Sequence, residues 1–137
     1  MRFEGHLRKD GKFWLVAVPA FDALTQGRTK AEALAMIKDL IETMAGARGF
    51  EVTVYPTGPR EFEVGANVLG VFLALLLRRQ RERQGLTLAE AAERLGQSSR
   101  NAYARYEQGK AMPSLEKLEQ LLRAIAPGQR IVWRFAA

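Results

Sequence analysis

The chain opens on a two-residue hydrophobic period. In "RFEGHLRKDGKFWLVAVP", Phe3, Gly5 and Leu7 alternate with polar residues, and Asp10-Gly11 is a strong hairpin turn signal. Phe13 to Val18 is apolar at nearly every position. Phe13, Leu15 and Ala17 point one way, and Trp14, Val16 and Val18 the other. Both faces of that strand are expected to be covered, one of them by the chain's own core or by a partner. "DALTQGRT" leaves room for a short third strand around Leu24. Thr29 and Glu32 then form a T-x-x-E helix start, and Leu34, Ile37, Leu40, Ile41 and Met44 recur at helical spacing. Ala45-Gly46 predicts the end of that helix, and "FEVTVYP" alternates as a strand stopped by Pro56.

"PTGPREFEVGAN" carries two Pro and two Gly, breaks the pattern and reads as a linker. The organisation expected is an N-terminal unit over 1–58, a linker over 59–67 and a C-terminal unit over 68–137. Past Asn67 the period becomes helical. "VFLALLLRRQRERQG" is apolar all round at its start, basic at its end and stopped by Gly85. A core helix is the first reading of it, and a helix buried in a dimer the second. Thr87 and Glu90 make a second T-x-x-E start, with Leu88, Ala91, Ala92 and Leu95 inward, and Gly96 turns the chain. Ser98 or Ser99 is expected to cap the next helix, which runs to Gln108 and stops at Gly109. Pro113-Ser114 starts another, with Leu115, Leu118, Leu121, Leu122 and Ile125 inward. "QRIVWRF" alternates and predicts a final short strand. The fold class is therefore α+β: a β-β-β-α-β unit followed by an all-α bundle with a final short strand.

Composition narrows the class. At 137 residues, 47% hydrophobic and 26% charged, the chain is globular, and without cysteine it has no disulfide or thiolate metal site. No signal peptide is visible, and the longest apolar run, Val68 to Leu77, is about half of the ~20 residues that span a bilayer. A cytoplasmic protein with no membrane partner is the expectation. The net charge of +6 is uneven: residues 1–58 hold 8 Lys/Arg against 7 Asp/Glu, residues 59–137 hold 13 against 8. A polyanion partner fits the second half.

Two short helices joined by a Gly-containing turn inside a small bundle describe a helix-turn-helix. On its second helix Ala102, Tyr103 and Tyr106 are expected to anchor the inner face. Ser99, Arg100, Asn101, Ala104 and Arg105 are left outside. Arg grips guanine and Asn adenine in the major groove, so Ser99, Arg100, Asn101 and Arg105 are the candidate base contacts. Thr87, Ser98 and Lys110 are the candidate phosphate contacts. A solvated bundle face is the competing explanation. Residues 75–126, with "LRRQRERQGLTLAEAAERLG", "ARYEQGK" and "PSLEKLEQLL", resemble the phage-repressor (Cro-like, XRE) helix-turn-helix family. The resemblance implies that Ser99 to Arg105 read bases. Leu88 stands where that family often has a phosphate-binding Gln. The stretch Gly96 to Gly109 is one residue longer than usual, so the outward register can slip by one.

Residues 1–58 resemble the HicB family, the antitoxins of HicA–HicB toxin–antitoxin pairs, through the DG hairpin, "FWLVAVPAF", "LTQGRTKAEALAMIKDLIETM" and "EVTVYP". "AFDAL" departs from the family's usual Pro-Gly-Cys-like stretch. The resemblance implies a degraded RNase H-like β-β-β-α-β fold that binds and masks a small mRNA-cleaving HicA toxin. It also implies a C-terminal domain that represses the operon. Trp14, Val16, Val18 and Asp22 are the candidate toxin contacts; Asp39, Glu42 and Glu51 are further carboxylates for a basic partner. Completion of the chain's own core explains the apolar trio equally well. Catalysis is not expected. Two-metal chemistry needs converging carboxylates. Glu4 is in a strand, Asp10 in a turn, Asp22 in a loop and Glu32 at a helix start; His6 is the one histidine. No catalytic residue, metal ligand or cofactor is assigned. The expected partners are a HicA-like toxin, operator double-stranded DNA and further copies in a homodimer or homotetramer. The alternative is a stand-alone regulator whose N-terminal domain senses a small ligand or dimerises.

Overall fold

The structure is a computed structural model describing residues 1–96 and 100–137. Five strands, β1 (Phe3–Asp10), β2 (Phe13–Val18), β3 (Ala23–Gly27), β4 (Val52–Pro56) and β5 (Glu61–Ala66), form one sheet in the order β3-β2-β1-β5-β4, with neighbours antiparallel. A 3-10 turn, Pro19–Phe21, joins β2 to β3, and helix α1 (Lys30–Ala45) lies between β3 and β4. Four helices follow: α2 (Leu69–Arg83), α3 (Leu88–Arg94), α4 (Arg100–Glu107) and α5 (Leu115–Ile125). The architecture is α+β.

Directly opposed residues share a sheet face, so register decides what is buried. Leu7 opposes Val16, and Gly5 opposes Phe62. With Val18 and Val64 these make the inner face, packed with Ala33, Ile37 and Ile41 of α1. Gly5 is required there, because a Cβ would overlap the Phe62 ring. Glu4, His6, Glu61 and Glu63 lie on the other, outer face with Phe13 and Leu24. The start of α1 is secured as its sequence predicts. Thr29 Oγ1 accepts from Glu32 N–H at 3.1 Å, while the Glu32 carboxylate accepts from Arg28 N–H at 3.2 Å. Near the end of α1, burial pushes the Glu42 carboxyl up, but hydrogen bonds from Lys38 and the Val52 N–H outweigh it and hold the group below its usual range.

Three expectations change. Within the stretch 59–67 expected as a linker, residues 61–66 are strand β5. "EFEVGA" alternates, with Phe62 and Val64 buried, and its Pro/Gly-rich approach is a hairpin loop closed by Thr57 N–H and Gly58 N–H donating to Glu61 O at 3.0 and 3.2 Å. The expected final strand does not form: residues 128–137 have no regular secondary structure. That segment finds no ladder partner, and Arg134 secures it to Glu4 and Glu63 of the sheet at 3.0 and 3.2 Å. Third, Val16 and Val18 are fully buried in this chain's own core and offer nothing to a toxin.

Helix α2 explains its own composition. Phe72 stacks on Phe3 (ring centroids 5.2 Å apart) and meets Phe21 edge-on at 4.8 Å. Leu73, Leu75, Leu76 and Leu77 are also buried, so the all-round apolar start is covered within the chain. One buried cluster runs from Leu7 through Phe72 to Ala126. Among the described residues no helix is long and apolar enough to cross a membrane.

Candidate nucleic-acid interface

Helix α3 begins with the reciprocal cap its sequence predicts. Thr87 Oγ1 accepts from Glu90 N–H at 3.1 Å, and the Glu90 carboxylate accepts from Thr87 N–H at 3.4 Å. Ala91 and Ala92 are buried, Leu88 and Leu95 half-buried, and Gly96 turns the chain at φ 69°, a left-handed conformation suited to glycine. Helix α4 packs on α3 and α2.

The orientation of α4 is set by Tyr103, Ala104 and Glu107. Tyr103 is fully buried and Ala104 nearly so, while Ala102 is exposed. The two alanines therefore exchange the places expected for them. The reason is Glu107, one turn beyond Tyr103, which is drawn inward by Arg81 of α2. Arg81 Nε and one terminal nitrogen donate to the two Glu107 carboxylate oxygens at 2.7 and 3.0 Å. The other terminal nitrogen donates to Leu86 O at 2.7 Å. The Glu107 hydrogen bond holds the Arg81 guanidinium above its usual pKa, outweighing its burial. The Tyr103 hydroxyl is buried beside this pair, and burial first, then the Glu107 carboxylate, push its pKa far above the usual phenol range. One bidentate ion pair thus ties α2, the α2–α3 turn and α4 together. The sequence carried a signal for it: Glu107 is the single carboxylate on α4 and falls at i+4 from Tyr103.

With that face fixed, Arg100, Asn101 and Arg105 all lie exposed on α4, as their candidacy for base contact requires. Arg100 and Arg105 form no ion pair among the described residues. Ser98 and Ser99, candidates for phosphate and base contact, lie outside the described residues. Lys110 is exposed just past Gly109. Thr87 is exposed as well; its oxygen caps α3, which leaves the hydroxyl hydrogen to donate outward.

The candidate toxin contacts are not brought together. Trp14 is half-buried, and Lys30, Lys9 and Arg60 stand 4.9, 5.2 and 5.6 Å from its ring centroid. That collar has the wrong sign for a basic partner. Asp22 is held by Arg79, which reaches its carboxylate at 3.7 Å and its backbone oxygen at 3.0 Å. No trio of His, Asp and Glu side chains gathers as a metal site among the described residues.

No curated protein matches the chain. Residues 73–127 match the family model of a helix-turn-helix domain, and the match spans α3, α4 and α5 from within α2 onward, so the C-terminal part of this chain is a helix-turn-helix domain.

Proposed function

We propose that the chain is the antitoxin and autorepressor of a HicA–HicB pair. Its helix-turn-helix reads an operator, as a homodimer or homotetramer, and its sheet domain masks a small basic ribonuclease. The observation that carries the DNA half is the exposed row Arg100, Asn101 and Arg105 on a helix whose opposite face is locked by the Arg81–Glu107 pair. For the toxin half, support comes from the family resemblance of residues 1–58 and from the outer face of the sheet. There the exposed Phe13 and Leu24 neighbour Glu4, Glu61 and Glu63, a mixed apolar and acidic surface suited to a basic protein. The cis pairing of Arg134 with Glu4 and Glu63 demonstrates that this face accepts arginine. The reading assigns the chain no catalysis and no cofactor.

The test is affinity purification of the full chain from a strain expressing its neighbouring gene, with intact mass of what co-elutes. The expected result is a stoichiometric small basic protein that cleaves RNA once separated and stops when the full chain is added back. A variant joining Leu24→Asp to Glu61→Lys is expected to release it and still bind operator. Recovery of the chain alone would overturn the toxin half and leave the stand-alone regulator.

A further inference from the structure

Between the 3-10 turn and the helical half lies a cleft of about 270 Å3. That exceeds the ~150 Å3 in which an apolar cavity holds benzene. Its apolar walls come from Phe3, Leu76 of α2, Leu122 of α5 and Ile131. Two features separate it from a packing gap. Gln80 of α2, 6% exposed, lines it; its Nε2 donates to Ala20 O at 2.7 Å, but its buried Oε1 has no hydrogen-bond partner. Buried acceptors left unpaired are rare in native chains and point to a missing donor. Arg83 and Arg130 also stand in the wall, neither in an ion pair among the described residues, and no Asp or Glu lines the cleft.

We propose that this cleft binds a small apolar carboxylic acid that carries one hydrogen-bond donor. The hydrocarbon body lies against Phe3, Leu76 and Leu122, the carboxylate meets Arg83 and Arg130, and the donor meets Gln80 Oε1. The site is separate from the exposed row of α4 and from the outer sheet face. It holds whether or not a toxin docks on the sheet.

Indole-3-acetate, which has the carboxylate, the aromatic body and one N–H, is the probe, titrated into the methyl-labelled full chain. Shifts confined to the methyl groups of Leu76, Leu122, Ile131 and Val132 are expected. Indole-3-acetamide, which lacks the charge, and 1-naphthylacetate, which lacks the donor, are each expected to bind roughly tenfold more weakly. Joining Arg83→Gln to Arg130→Gln touches no ion pair of the fold and is expected to abolish the preference for acid over amide. Arg100→Gln with Arg105→Gln is expected to leave binding unchanged. The proposal is overturned by absence of shifts at millimolar probe, by an acid preference that survives loss of Arg83 and Arg130, or by binding lost with the α4 arginines, which marks an adventitious anion on the DNA face.

Discussion

Which way α4 faces is decided by two side chains, Tyr103 and Glu107, and the second depends on Arg81. The Arg81 side chain is only 12% exposed and that of Glu107 5%, so each is a desolvated charge balanced by the other. Removing one partner strands the other, at a cost of about 3–5 kcal/mol, whereas replacing both with apolar residues is close to neutral. Glu107→Ala is therefore expected to lower unfolding stability by that amount in urea, and Arg81→Met with Glu107→Leu to recover most of it. A double variant as unstable as the single one would place the energy elsewhere. On the opposite face, Arg100→Ala is expected to cost ~1–3 kcal/mol on operator and little on random DNA, the mark of base contact. Lys110→Ala is expected to weaken both alike and flatten the salt dependence. Titrations of both DNAs at several salt concentrations separate the two; equal losses for Arg100→Ala would make it a phosphate contact.

At the scale of elements, α2 is the piece on which both halves rest. It presents Phe72 to Phe3, Phe21 and Phe50 of the sheet side, and Arg81 to α4. Phe72→Ala is expected to cost about 3–5 kcal/mol. Because the buried cluster is continuous, amide exchange in α1 and α5 is expected to rise together; protection kept in α5 alone would show that the helical half stands by itself. The helices were legible in the sequence because each carries its own punctuation: Thr29, Thr87 and Ser114 cap where they are expected to, and Gly46, Gly85 and Gly96 turn the chain in left-handed conformations. Strand β5 was not, because Pro56, Gly58 and Pro59 signal a break and a hairpin loop shares that composition with a linker. Nor was the facing of β2, since Phe13 to Val18 is apolar on both sides and only register against β1 and β3 buries Val16 and Val18. "QRIVWRF" has a strand's alternation, but a strand also needs a neighbour, and that is a property of the whole sheet. On α4, Arg100, Asn101 and Arg105 were placed correctly as exposed, while the exchange of Ala102 and Ala104 followed from a tertiary ion pair that local spacing does not encode.

For the whole molecule, charge and symmetry set how operator binding is organised. Residues 59–137 carry 13 Lys/Arg against 8 Asp/Glu, while residues 1–58 are near balance, so attraction to DNA is concentrated in the part that holds the helix-turn-helix. A single α4 of eight residues covers few base pairs. On the repressor proposal, specificity then comes from two copies reading half-sites about one DNA turn, roughly 34–36 Å, apart on the same face of the duplex. Inserting about 5 base pairs between the half-sites rotates one to the opposite face and is expected to abolish cooperative binding. About 10 restores the face and is expected to recover part of the affinity, limited by how far the two copies can separate. Indifference to both insertions would mean that each chain binds alone, and with that the symmetric repressor would fail while the base contacts of α4 could stand.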